Sequence, residues 1–570
     1  MSIPRDIDLV FSNLHIINTI KPMSQLPQRA NPWQLLTAFN DSAPRWPGAL
    51  RAALAIFIPG AIALAAGYEH EMFLIAVGGF AVIYGEGHPY RSRASVMITA
   101  GLLLSLGAMS GAFVGSVVWS NGAHWWLLLP ALFCTAISAI GAFVQNALRL
   151  APPGAFFIVM VSGGSTMVAR LGFNPGEVCL WSMVGAASGV ILGMLPALVD
   201  PHGPERRNVE AVERAVAEFV KNPHLSQRLQ CQTALEKAWT RLGDASIINL
   251  GEVVKPSQKE LVRAQHTLIT HAHKLGLNQT DPESATDTPA MLDPERDEIP
   301  LTRPSKSYLL YRSVDRNSHA TVTALKVAVA CLAAGVAGIA LGLNRPDWAV
   351  VSAMLMLQWG PDPVPGTIRG VHRLIGSLLG IALFTVFHLM GLHEWTLLIA
   401  LAICRFGAEV FVVKNYAFCV IFTTPLALLM GNAVTEPLDY VVVSRTAEVG
   451  LSILFGLLAL WLIGRHASAR EHARLVKRSF NQMGAVLGAL ATSAAREAAV
   501  ERRDLQYELL SERRAIQSLA KTNRPAAEAH WDQHVRIQQA GYRVLDYCHA
   551  HDRETSEGFD SLVQAVRTAK

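Results

Sequence analysis

ASVMITAGLLLSLGAMSGAFVGSVVW, residues 94–119, runs for 26 positions without a charged side chain. A helix rises 1.5 Å per residue, so about 20 apolar residues cross a hydrocarbon core of roughly 30 Å. This stretch predicts a membrane-spanning helix. Gly107, Gly111 and Gly115 recur within it every four residues, a spacing that predicts close contact with another helix rather than chemistry.

Outward from there, the chain divides by charge. Of its 49 Lys+Arg and 44 Asp+Glu, 10 fall in 46–200, 29 in 201–310, 15 in 320–465 and 29 in 466–570. Those are about 6%, 26%, 10% and 28% of the residues, against about 25% for soluble proteins. Two stretches read as membrane and two as soluble, which excludes a wholly water-soluble protein of 570 residues. A formal charge of +5, spread rather than clustered, gives nucleic-acid binding no support. Seven cysteines at Cys134, Cys179, Cys231, Cys331, Cys404, Cys419 and Cys548 show neither CxxC pairing nor zinc spacing, so no metal site is expected. No phosphate loop, HExxH or nucleophile elbow is present. An enzyme is not expected, and no catalytic residue or cofactor is assigned. The N-terminal apolar run is broken by Asn and His, so a cleaved signal is not expected either.

Apolar runs predict six spans at about 48–67, 72–85, 94–119, 125–147, 154–169 and 178–199, then six more at about 321–343, 348–359, 371–390, 395–413, 415–430 and 441–463. Spans 2 and 5 are short and carry Gly78-Gly79 and Gly163-Gly164. The halves share a register: Arg51, Gly60, Gly67, Tyr84 and Gly85 align with Lys326, Gly335, Gly342, Trp359 and Gly360 at an offset of 275, and Arg149 and Gly185 with Lys414 and Gly450 at 265. Loop arginines fall on one side, which predicts that both termini face the cytoplasm. The expected fold is all-α: a polytopic membrane protein of about 12 helices in two parallel six-helix repeats, each followed by a cytoplasmic helical segment. The expected boundaries are an N-terminal cytoplasmic segment 1–45, a first repeat 46–200, a cytoplasmic segment 201–319 with a linker near 277–307, a second repeat 320–465, and a C-terminal helical domain 466–570. In repeat-built transporters, short or Gly/Pro-interrupted spans at matching positions mark the substrate site. Here those are spans 2 and 8, and spans 5 and 11; tilted helices in a locally thinned bilayer would look the same.

The runs RGVHRLIGSLLG (369–380) and NYAFCVIFTTPLAL (415–428), with Arg445 in the last span, resemble the fusaric acid resistance (FUSC) family of aromatic acid exporters. The likeness is concentrated in residues 365–465; Arg91, Arg93 and the GAFF run at 154–157 are partial counterparts. It implies a bacterial inner-membrane exporter of aromatic carboxylic acids or similar organic anions, driven by the proton gradient. It also brings partners used in some such systems, a periplasmic adaptor and an outer-membrane channel. Self-association into a homo-oligomer stays open.

Charges inside spans focus this expectation, because each costs about 2.5–3.5 kcal/mol at a helix centre. Arg405 and Glu409 lie one turn apart in span 10: either Arg405 offers its guanidinium to a substrate carboxylate while Glu409 titrates, or the two neutralise each other. Arg445 and Glu448 repeat the arrangement in span 12. Arg369 and Arg373 concentrate anions at the inner mouth or simply set topology. Asp362, and Glu86 with His88, are proton-handling candidates. Trp359, Tyr416, Phe418 and Tyr84, with Asn415, Thr423 and Thr424, form an aromatic pocket or an interfacial belt. Histidines of the soluble segments (His266, His271, His273, His530, His534) read as solvated helix faces. A passive organic-anion channel and a non-transporting membrane scaffold are the alternatives to the exporter.

Overall fold

The computed structural model describes residues 32–37, 39, 45–221, 234, 237–249, 252–254, 303–430, 436–550 and 559–570. Most of the 1–45 segment, Cys231, the helical pattern at Leu261–Leu275 with its three histidines, and the linker up to residue 302 lie outside them.

After a short α1 (Pro32–Thr37), the first half contains α2 (Trp46–Ala65), α3 (Glu71–Gly79), α4 (Ala81–Tyr84), α5 (Tyr90–Asn121), α6 (Leu128–Leu148), α7 (Phe156–Gly164) and α8 (Pro175–Met194). Next come α9 (Gly203–Lys221), the two-residue strands β1 (Ile248–Asn249) and β2 (Glu252–Val253), and α10 (Lys306–Ser313). The second half contains α11 (His319–Ala340), α12 (Pro346–Leu357), α13 (Pro363–Leu389), α14 (Glu394–Phe411), α15 (Tyr416–Leu429) and α16 (Leu438–Leu462). The chain ends in α17 (Ala467–Leu490), α18 (Ala499–Thr522), α19 (Arg524–Ala550) and α20 (Phe559–Ala569). Among the described residues, apart from the antiparallel β1/β2 pair, the regular structure is helical.

Among the described residues seven helical segments are long and apolar enough to cross a membrane, and four are apolar but shorter. The short ones, Glu71–Tyr84, Phe156–Leu171, Pro346–Leu357 and Tyr416–Leu429, fall where spans 2, 5, 8 and 11 are expected. The first two are interrupted: α3 gives way to α4 at Phe80, and α7 passes into a 3-10 turn at Ser165–Leu171. The helix at span 10, α14, carries Glu394, Arg405 and Glu409 over 18 residues.

The two halves pack by one scheme. In the first, α3 contacts α2 and α8, and α5 contacts α7 and α8; in the second, α12 contacts α11 and α16, and α13 contacts α15 and α16. Between halves, α6 lies along α11 and α14 along α2, the same pairing exchanged. Glycine permits the closest approaches: a Cβ on Gly185 would strike the Ile75 carbonyl, and one on Gly111 the Ser162 carbonyl. The glycine spacing of residues 107–115 is therefore a contact face. Gly450, the register partner of Gly185, has open space around it, so that coincidence is not a packing requirement.

The aligned cations Arg51 and Lys326 occupy matching places with different partners. Arg51 bonds Glu86 at 2.7 Å, and Arg93 joins the same carboxylate at 2.8 Å. Lys326 is buried and donates to the carbonyls of Pro361 and Leu460 at 2.7 and 2.9 Å. Helix starts are fixed locally. Asn174 and Glu177 form a reciprocal capping box at α8, and Ser318 accepts from the Thr321 amide at α11.

The C-terminal helices bury polar groups at their centre, contrary to a solvated face for their histidines. Glu512 accepts from His472, His534 and Gln538 at 2.9, 2.7 and 2.7 Å, and both histidines are buried. His530 is exposed, as expected. Arg478 and Arg312 meet at the buried Glu508. Such pairs hold registry, since removing one partner leaves an uncompensated charge.

Candidate functional site

Polar groups in an apolar bundle turn inward, and here they converge. Arg405 and Glu409 share one face of α14 and bond at 2.8 Å. The Arg405 side chain is 1% exposed, and its guanidinium carbon lies 5.1 Å from the Phe80 ring and 5.3 Å from the Phe157 ring. Those rings stack on each other with centroids 4.6 Å apart. Phe80 sits at the break between α3 and α4, and Phe157 lies in the first turn of α7, so the interrupted helices of the first half hold the cation supplied by the second. Aromatic faces attract a desolvated cation by about 2 kcal/mol.

Arg405, Glu409 and Phe157 border a cavity of about 370 Å³. Its wall includes Trp359, Arg369, Arg373, Arg405, Glu409, Tyr416 and Thr423, all singled out in the sequence. It also includes Arg45 and Ile83, which were not, and Phe156 and Phe157, which entered only as part of the GAFF run at 154–157. Four arginines therefore face one carboxylate. Arg373 donates to Ser352 Oγ at 2.8 Å, while the buried Nε atoms of Arg373 and Arg405 have no hydrogen-bond partner among the described residues. A buried donor left unpaired costs about 1–3 kcal/mol, which an anionic acceptor would recover.

The remaining candidates lie elsewhere. Asn415 caps α15, accepting from the Ala417 amide at 2.9 Å. Phe418 is 45% exposed and packs on Phe39 and Phe411 at the outer surface. Thr424 is buried against Gly380, where α15 meets α13. Glu448 bonds Arg445 at 3.4 Å, and Arg445 covers the Trp348 ring at 4.0 Å. Asp362 accepts from Ser468 and Ser518 at 3.2 and 2.6 Å. Burial alone would raise the pKa of Glu86, but Arg51 and Arg93 hold it below the usual carboxylate value. His88 is pushed down to about 4 by burial and then by Arg241, so it is neutral near pH 7. Among the described residues no group of three His, Cys, Asp or Glu is placed to hold a metal.

Fold and packing define a multi-pass, all-helical membrane protein. Residues 329–459 match the family model described as fusaric acid resistance protein-like, which agrees with the resemblance carried by the second half. Over 580 aligned residues the chain is 22% identical to the uncharacterized membrane protein YvaC of Bacillus subtilis (strain 168), covering 92% of this chain and 88% of that protein. No solved structure matches. The matched domain is transport-related and points to a transporter rather than an enzyme.

Proposed function

We propose that the protein exports aromatic carboxylic acids or similar amphipathic organic anions across the bacterial inner membrane, driven by the proton gradient, with both termini cytoplasmic. The cavity between the halves carries this reading. Its four arginines against one carboxylate suit an anionic head, and Phe156, Phe157, Trp359 and Tyr416 suit an aromatic body. A volume of about 370 Å³ lies at the small end of the roughly 300–1,000 Å³ typical of small-molecule sites. In this reading Arg405 binds the carboxylate, Arg369 and Arg373 draw it in from the cytoplasmic side, and Glu409, bonded to Arg405, releases it as it exchanges protons. Glu448 and Asp362 stand outside the cavity and serve the frame. An adaptor protein, an outer-membrane channel and a homo-oligomer are compatible additions.

The Arg405–Glu409 bond also favours a second reading, a passive anion channel in which Glu409 only holds Arg405 in place. Uptake of labelled 4-hydroxybenzoate into inverted vesicles decides between them. Accumulation above equilibrium under an imposed pH gradient supports the exporter, and downhill equilibration alone supports the channel. No flux for any of a panel of aromatic acids overturns both.

A further inference from the structure

The connection 358–362 joins α12 to α13. It gives Trp359 to the wall of the membrane cavity, and α13, into which it opens, gives Arg369 and Arg373. Pro361 and Pro363 stand on either side of Asp362, fix their own φ and hold Asp362 extended at φ -71, ψ 124. Gly360 has φ +139, where a side chain would be strained, and a Cβ there would also meet the His319 ring at 2.9 Å. The run is stiff, so a displacement of Asp362 reaches Trp359.

Three sets of bonds hold this connection. Asn146 of α6 donates to the Gln358 carbonyl at 2.8 Å, and Lys326 of α11 to the Pro361 carbonyl at 2.7 Å. Asp362 is the third point, at the N-cap of α13, where an aspartate ordinarily accepts from its own helix's first amides. It makes no such bond among the described residues. Instead each carboxylate oxygen accepts from a different C-terminal helix: Oδ1 from Ser468 at the start of α17 at 3.2 Å, and Oδ2 from Ser518 near the end of α18 at 2.6 Å. On that side of Trp359 a second cavity, of about 330 Å³, is bordered by the same indole and by Ser468 and Ser518. The ring therefore has space to shift if Asp362 lets go.

We propose that Asp362 is a positioning residue for the membrane cavity: held by Ser468 and Ser518, it keeps Trp359 in the cavity wall, so that the C-terminal helices set how tightly the cavity binds its anion. This rests on the transport reading above and adds to it a control from the C-terminal domain.

The test uses the full chain grown on 5-fluorotryptophan, with the Trp359 fluorine resonance assigned by its loss in Trp359→Phe. Ser468→Ala/Ser518→Ala leaves every residue of the cavity wall in place and should move or broaden that resonance. The half-saturating concentration for 4-hydroxybenzoate uptake into inverted vesicles should rise several-fold, with the maximal rate changing less, since Asn146 and Lys326 keep their holds. Ser518→Ala alone should act in the same direction by less, and Ser518→Thr, which keeps the donor, should rescue both readouts relative to alanine. Glu512→Gln loosens the same helices away from Asp362 and should lower the melting temperature without moving the resonance. In a Trp359→Phe background the serine changes should raise the half-saturating concentration no further, because they act through that ring. A resonance that stays in place in the double serine variant, or that Glu512→Gln moves as far, overturns the positioning role. A moved resonance with an unchanged half-saturating concentration, or equal losses with and without Trp359, overturns the link from Asp362 to anion binding. No saturable uptake by the unmodified protein overturns the transport reading instead, and the resonance still decides whether Asp362 positions Trp359.

Discussion

Replacing Arg405 by glutamine separates what this side chain does for the fold from what it does for an anion. The guanidinium is 1% exposed, bonds Glu409 at 2.8 Å and rests against two stacked rings. Breaking a buried ion pair by removing one partner costs about 3–5 kcal/mol, because the survivor is left uncompensated. Glu409 borders the cavity, so some water reaches it, and the lower end of that range is expected. A charge-assisted hydrogen bond to a carboxylate is worth about 1.5–3 kcal/mol, so losing one weakens anion binding roughly 10- to 150-fold. The double variant Arg405→Gln/Glu409→Gln removes the orphaned charge and should recover most of the thermal stability in detergent. It should not recover the half-saturating concentration for 4-hydroxybenzoate uptake. If the single variant transports normally, or if the double variant restores uptake along with stability, Arg405 is a structural half of a pair and the site assignment fails.

Phe157→Leu removes one ring of the pair beneath Arg405 and should destabilise by about 1–2 kcal/mol, seen as a lower melting temperature, with uptake reduced more than in an equally destabilised variant outside the cavity. Gly111→Val drives a side chain into the Ser162 carbonyl; because the obstacle is backbone, folded yield by fluorescence size-exclusion should fall severely, whereas Gly450→Ala should be silent. Glu512 gives a pH prediction. Burial would raise its pKa, but His534 and His472 hold it down to about 2 against an ordinary 4.5. A carboxyl depressed in the folded state stabilises above its unfolded pKa and loses that contribution as pH falls through the folded one. Hydrogen-exchange protection of α17–α19 should therefore lose this contribution between about pH 4.5 and 2, and Glu512→Gln should remove that dependence.

The membrane helices were legible because lipid enforces long uncharged runs, and the repeat because glycines and cations recur in register. The cation side of the cavity was legible for the same reason: Arg405 and Glu409 are conspicuous where charge is costly. The ring stack beneath Arg405 was not: Phe157 entered only within the GAFF run at 154–157, and Phe80 sits in an apolar run where any phenylalanine reads as core. Only the packing of the interrupted first-half helices against α14 brings them to the guanidinium. Broken spans 2 and 5 did signal that something was to be sheltered there. The Glu512 cluster was missed for the opposite reason. A histidine on the polar stripe of an amphipathic helix looks solvated until a second polar stripe closes over it.

The frame is duplicated but its charge is not. The helix that corresponds to α14 in the first half, α6, carries no charged residue from Leu128 to Leu148. It lies along α11 as α14 lies along α2, and it spends Gln145 on the Ala155 amide at 3.0 Å, in local bracing. The protein thus keeps the same helix position twice, charged in one half and uncharged in the other. Because α6 carries no ion pair, a charged pair engineered into it would meet α11 from the place that Arg405 and Glu409 hold in α14 against α2.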